Sequence, residues 1–211
     1  MYTPPAFKTD DKTALAFAAK RGFGTLIAVD DGGRPVASHL PFLLHTEDTS
    51  APHIEMHVAR INPLAAIIAR APDVLLTVMG ADTYISPDWY VSADQVSTWN
   101  YVSVHLSGTA RLIEPTANLA HADRLSARFE ADLLPKKPWT SAKMTPARRE
   151  AMLTAIVGIE VTVTKIEAQW KLGQHKQQAD QDGVIANLEK LATPTAAAYL
   201  QQWRTWRAGG A

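Results

Sequence analysis

The sequence predicts a mainly β fold, an antiparallel barrel with peripheral helices. Three observations lead there. Strand patterns come as hairpins joined by turn residues, as where Asp31-Gly32-Gly33 separates two apolar runs. Helical patterns interrupt the strands irregularly instead of alternating with them, which disfavours a parallel sheet. No glycine-rich strand–turn–helix fingerprint is present, so a doubly wound nucleotide fold is not expected. A chain of 211 residues with 46% hydrophobic content can bury a sizeable core. The expected division is a barrel over 1–170, with a C-terminal loop and helices over 171–211 packing on it.

The elements follow in order. Thr9 to Lys20 reads as a helix capped by Thr9 or Asp10, with Leu15, Phe17 and the alanines on one side. Gly22-Phe23-Gly24 ends it, Thr25 to Val29 is a strand, and Pro35 to Phe42 is its returning partner. His53 to Val58 alternates strictly, with Ile54, Met56 and Val58 on one face and His53, Glu55 and His57 on the other. Asn62-Pro63 opens a helix to Arg70, because asparagine caps well and proline suits the first helical position. Val74 to Val78 is a strand, with a turn at Gly80. Tyr101 to Ile113 is a long strand, and Pro115 to Leu133 a helix with Leu119, Leu125 and Phe129 inward. Leu134 to Ser141 links to a short helix at Pro146 to Leu153, then to the strand Ile156 to Ala168. Gly183 to Leu191 and Pro194 to Arg207 close the chain as helices.

Composition narrows the function. Lys plus Arg and Asp plus Glu number 21 each, so the formal net charge is zero. DNA binders usually carry a basic excess or a clear basic patch. The nearest approach is Lys136, Lys137, Lys143, Arg148 and Arg149, read as a solvated loop and helix start; direct DNA contact is weakly supported. Cysteine is absent, which removes disulfides, thiolate metal sites and a cysteine nucleophile. No apolar run is long enough to span a bilayer, and the first ten residues do not read as a signal peptide. A cytoplasmic location is expected.

The richest stretch is Ser97 to His105, Ser-Thr-Trp-Asn-Tyr-Val-Ser-Val-His. Consecutive large aromatics and hydrogen-bonding groups at the start of a strand suit a planar, partly polar ligand. Tyr84-Ile85-Ser86-Pro87-Asp88-Trp89-Tyr90 repeats that chemistry upstream, in a chain with only 8% aromatics. Arg60, between a strand end and the Asn62-Pro63 helix start, offers a forked cation beside free N–H groups: either an anion cradle, or a surface arginine beside an ordinary helix cap. His39-Leu40-Pro41-Phe42 ends a strand with a proline and so reads as an edge. Lys171-Leu172-Gly173-Gln174-His175-Lys176 follows the last strand; its composition reads as a solvated loop, though Gln174 and Lys176 can reach an anion or a ring edge. His53 and His57 do not make a metal site by themselves: four residues along a strand separate them by roughly 13 Å. No metal is expected. The serines lack a nucleophile-elbow context, so a hydrolase triad is unsupported.

Taken in register, seven segments resemble the PaiB-like family of FMN-binding negative transcriptional regulators. They are Met1-Tyr2-x-Pro4-x-x-Phe7, Phe23-Gly24-Thr25-Leu26, Ser38-His39-Leu40-Pro41-Phe42, His57-Val58-Ala59-Arg60-x-Asn62-Pro63, Tyr84-Ile85-Ser86-Pro87-x-Trp89-Tyr90, Thr98-Trp99-Asn100-Tyr101 and Lys171-Leu172-x-Gln174-x-Lys176. Ser97, Gly173 and His175 depart from the family pattern. The resemblance implies an FMN-binding split barrel that dimerises, with flavin at the subunit interface. It implies FMN contacts from His39, Leu40, Pro41, Arg60, Asn62, Thr98, Trp99, Asn100, Tyr101, Gln174 and Lys176, with Arg60 on the phosphate. The alternative is an FMN-dependent oxidoreductase acting on a small molecule, with Tyr101, His105 and His39 as candidate proton donors.

Overall fold

The first hairpin sets the architecture. In the computed structural model, which describes residues 1–47 and 51–210, β1 (Phe23–Val29) pairs antiparallel with β2 (Pro35–Pro41) from Phe23↔Pro41 to Val29↔Pro35. The turn between them works as its residues require. Asp30 and Arg34 close it through main-chain hydrogen bonds, and Gly33 adopts a φ of 74° that favours glycine. Helix α1 (Asp11–Arg21) precedes it, and the Asp10 carboxylate accepts from the main-chain N–H and hydroxyl of Thr13.

Five more strands complete one seven-stranded sheet: β3 (Leu43–His45), β4 (His53–Ala59), β5 (Asp73–Ile85), β6 (Thr98–Leu112) and β7 (Ile156–Lys171). Their order is β2-β1-β5-β6-β7-β4-β3, so β2 and β3 are the edges. Pro41 therefore lies on an edge strand, where a missing N–H costs no ladder bond. The helices are α2 (Pro63–Ile68), α3 (Asn118–Ala131), α4 (Pro146–Thr154), α5 (Gln178–Leu191) and α6 (Pro194–Arg207). Among the described residues no helix is long and apolar enough to cross a membrane.

The chain forms two compact units. One comprises residues 18–77 and 106–165, the other 1–17, 78–105 and 166–211. The first, called the hairpin unit below, centres on Leu26, Phe42, Ile54, Met56, Leu64, Leu76, Leu106 and Ile159, all fully buried. β4 pairs along its whole length with β7, from His53↔Thr162 to Ala59↔Ile156. Gly108 is required there: a Cβ would stand 2.1 Å from the Thr162 carbonyl oxygen. The second, the C-terminal unit, packs Ile85, Val102, Val104, Leu172, Leu188 and Tyr199.

Several element limits differ from expectation: β6 starts at Thr98 rather than Tyr101, and α3 spans Asn118–Ala131 rather than Pro115 to Leu133. β5 does not turn at Gly80 but runs on to Ile85. Gly80 serves close approach instead, since a Cβ would meet Gln202 at 2.7 Å, and the Gln202 side chain accepts from the N–H of Ala81. α2 stops at Ile68, short of Arg70. α5 begins at Gln178, so Gly183 lies within the helix, where a Cβ would stand 2.2 Å from the Trp89 carbonyl oxygen. β7 extends to Lys171, which places that lysine on the strand rather than in the following loop.

Candidate functional site

In the hairpin unit, the segment after β4 carries the Arg60 group. The main-chain N–H of Arg60 donates to the Ala155 carbonyl at 2.8 Å. Its guanidinium donates from Nε to the Thr154 carbonyl at 2.6 Å and from Nη2 to the Ile156 carbonyl at 3.1 Å. Two of the five N–H groups of the fork are thus used by main-chain oxygens that fix its position, and the other three have no partner among the described residues. Ile61 beside it is 94% exposed.

The free helix N–H groups expected at this point are largely spent. Pro63 has none, Leu64 donates to the Asn62 side chain at 3.0 Å, and Ala65 donates to the Asn62 carbonyl at 3.1 Å. Asn62 also donates from Nδ2 to the Ser38 hydroxyl at 2.9 Å. Its side chain therefore braces α2 against β2. The helix end therefore offers an anion little, and Arg60 is the group left to meet one.

Strand alternation divides the His39-Leu40-Pro41 run. His39 is exposed and bonds Thr25, its cross-strand partner, at 2.8 Å between Nδ1 and Oγ1. Leu40 lies on the opposite face, with Ser38. One side of β2 cannot present all three to one ligand.

In the C-terminal unit, the start of β6 behaves likewise. Asn100 is buried, and its Nδ2 donates to the Tyr199 hydroxyl at 2.9 Å, which in turn donates to the Leu172 carbonyl at 3.1 Å. Burial pushes the Tyr199 pKa up, so the hydroxyl remains a donor. Asn100 is a brace. Gln174 is another: it accepts from the Leu172 N–H at 2.8 Å and donates to the Trp170 carbonyl, closing the turn in which Gly173 has a φ of 79°.

On the other face of β6, Trp99 and Tyr101 are not buried. Trp99 is 55% exposed and meets Tyr84 edge to face at 6.1 Å. Lys171 donates to the Thr98 hydroxyl at 2.6 Å and lies 5.9 Å from the centre of the Tyr101 ring. Burial lowers the Lys171 pKa. Lys176 bonds Gln95 and lies over the Tyr90 ring at 4.9 Å. His105 is half-buried, which lowers its pKa.

Sequence reasoning missed three features. Asp180 is buried and accepts from the N–H groups of Val91 and Ser92 and from the Ser92 hydroxyl, each at 2.8 Å. The Ser92 main-chain bond is the largest cause of its lowered pKa. Second, α3 buries Asn118, His121 and Leu125 on one face, a helical spacing visible in sequence but read there only for Leu119, Leu125 and Phe129. His121 meets the polar face of β4: its Nδ1 lies 3.2 Å from Glu55 Oε2, and its Nε2 lies 3.0 Å from His57 Nδ1. Burial lowers both histidine pKa values, so both rings are neutral. Since a carboxylate only accepts, His121 carries its hydrogen on Nδ1, and His57 then donates from Nδ1 to His121 Nε2. Third, His57 lines an apolar cleft of about 260 Å³ formed with Leu119, Leu125, Trp139, Met152 and Ile156.

Comparison with known proteins places the chain. Residues 1–165 match the family described as "Putative FMN-binding domain". The chain is 32% identical over 197 residues to "Protease synthase and sporulation protein PAI 2" of Bacillus subtilis, covering 93% of each chain. Among solved structures it resembles a conserved hypothetical protein of Mycobacterium tuberculosis, with TM-score 0.59, 14% identity, and coverage of 84% of this chain and 95% of that one. It also resembles an FAD and haem binding protein of Mycobacterium smegmatis, with TM-score 0.55, 17% identity, and coverage of 78% and 72%. These two likenesses establish the fold, a split barrel with peripheral helices. With a family match over most of its length and a relative of this identity, the chain belongs to the PaiB-like family of FMN-binding proteins.

Proposed function

We propose that the chain binds FMN as a homodimer and acts as a flavin-dependent regulatory protein. The observation that carries the binding half is Arg60, a guanidinium held by two carbonyl oxygens, with three N–H groups uncommitted among the described residues. That donor set fits a phosphate dianion, the part of FMN that riboflavin lacks. In the C-terminal unit, Thr98, Trp99, Tyr101 and Lys171 offer what a flavin ring and its polar edge take: aromatic faces, a hydroxyl and an amine. His39 and Lys176 remain candidate contacts. Asn62, Asn100 and Gln174 shape their surroundings, because their side chains are engaged within the fold. Bound FMN would supply the redox chemistry, and the protein its orientation and electrostatics.

The dimer rests on exposed apolar surface in one stretch of the C-terminal unit. Val91 is 73% exposed, Val96 78% and Trp99 55%. Such surface marks interfaces, and aromatic residues anchor them. Light scattering should give twice the 23.0 kDa chain mass; a monomer at micromolar concentration overturns the dimer. Regulation is the role that the resemblance to negative transcriptional regulators implies, and the name of the Bacillus relative mentions sporulation. Direct DNA contact has less support, since Lys136 is paired with Glu130 and the net charge is zero.

The test of the binding assignment compares FMN with riboflavin. The parent should prefer FMN by roughly ten- to hundredfold, the worth of a charged hydrogen bond of about 1.5–3 kcal/mol. Arg60→Ala should lose that preference while keeping its riboflavin affinity. Equal preference in parent and variant would place the phosphate elsewhere.

A further inference from the structure

The hairpin of β3 and β4 brings together three groups that the sequence keeps apart. His45 and His53 are directly opposed across the hairpin, and Glu55 lies two residues beyond His53 on the same face. The two imidazoles stack with centroids 4.5 Å apart and planes 14° from parallel. One potential ligand atom from each of His45, His53 and Glu55 falls within 4.8 Å of the others. We propose that His45, His53 and Glu55 form a binding site for a divalent transition-metal ion of the zinc class.

Three observations favour an ion over a simple polar cluster. The first is that His45 Nε2 is buried and has no hydrogen-bond partner among the described residues. Buried polar atoms are nearly always paired, so an orphan calls for a partner. It faces Glu55 Oε1 at 3.6 Å, too far for a hydrogen bond. A tetrahedral ion bonded to both atoms at about 2.1 Å would hold them roughly 3.4 Å apart, close to what is seen.

The second is the division of labour on Glu55. Its Oε2 is fully engaged, accepting from Arg124 Nη2 at 2.7 Å and from His121 Nδ1 at 3.2 Å. These bonds orient the carboxylate and leave Oε1 turned to the imidazoles, as outer groups orient ligands in metal sites. The third is the donor set. Two imidazoles and one carboxylate suit zinc and its neighbours, and three protein ligands leave room for water or a substrate. His45 and His53 are half-buried.

The expectation of no metal considers one strand alone, from His53 to His57. The missing ligand comes from across the hairpin. None of the three residues is among those assigned to the flavin, so the site stands or falls independently of it.

The experiment is a calorimetric titration of the full chain with zinc, on the parent and on His45→Asn, His53→Asn and His175→Asn. The parent and His175→Asn should each bind one zinc per chain. His45→Asn and His53→Asn should bind at least about tenfold more weakly, matching or exceeding the loss seen when an outer-shell partner is removed. Zinc should raise the melting temperature of the parent and not of His45→Asn, since a ligand of the native state stabilises it. Melting without zinc shows that each variant folds, and the two hairpin substitutions serve as independent checks. Absence of stoichiometric zinc binding by the parent overturns the proposal, as does parent-like affinity in both hairpin variants.

Discussion

Replacing Tyr199 by phenylalanine isolates the brace that holds the start of β6. The hydroxyl accepts from Asn100 at 2.9 Å and donates to the Leu172 carbonyl at 3.1 Å. Asn100, Leu172 and Tyr199 are 3%, 2% and 1% exposed. A phenylalanine ring would fill nearly the same space and leave two buried polar groups without this partner. Two neutral bonds at about 0.5–1.5 kcal/mol each give about 1–3 kcal/mol, with more lost if neither group finds a substitute. Water offers little relief, since the adjoining cavity is about 10 Å³, at the lower limit for one molecule. For a chain of this length, about 2 kcal/mol corresponds to a fall in Tm of roughly 4–8 °C. The assay is denaturant and thermal unfolding of Tyr199→Phe, Asn100→Ala and the double variant. The two single losses should be non-additive, because each breaks the same bond. FMN affinity should be little changed in Tyr199→Phe. If Tyr199→Phe melts like the parent while Asn100→Ala loses FMN more than tenfold, Asn100 is a flavin ligand and the brace argument fails.

Two further outcomes are expected. Gly108→Ala should lower stability by at least about 2 kcal/mol, because its Cβ would stand 2.1 Å from a main-chain oxygen; an unchanged unfolding midpoint would refute the close approach of β6 to Thr162. Asp180→Asn should show a pH-dependent deficit. The folded pKa of Asp180 lies below its unfolded value, so its stabilisation is present above the unfolded value of about 3.9 and is lost as pH falls through the folded value. The gap in Tm between parent and variant should be full at neutral pH and narrow in acid; a gap independent of pH would contradict the role given to the carboxylate.

What the sequence disclosed depended on the range of the interaction. Local chemistry was legible: Asp10 and Asn62 cap their helices, the Asp30–Arg34 turn forms, and the alternation of β4 assigns Ile54, Met56 and Val58 to the core. Arg60 stands out in the sequence because a cation lies between a strand end and a capped helix. The use of each polar side chain was not legible, since it is decided by distant partners. Asn100 is taken by Tyr199, Glu55 by His121 and Arg124, and Gly80 by Gln202, each from elsewhere in the chain. The polar face of β4 reads as solvated by alternation alone, yet Glu55 is buried beneath α3. His45 escaped notice because only the register of the hairpin sets it opposite His53.

The most direct test of the central claim is a titration of the purified chain with FMN, followed by visible absorption and flavin fluorescence. Saturation is expected at one FMN per chain, with a perturbed flavin spectrum and a cofactor retained through gel filtration. Flavin that keeps its free-solution spectrum and separates from micromolar protein would contradict FMN binding by this chain.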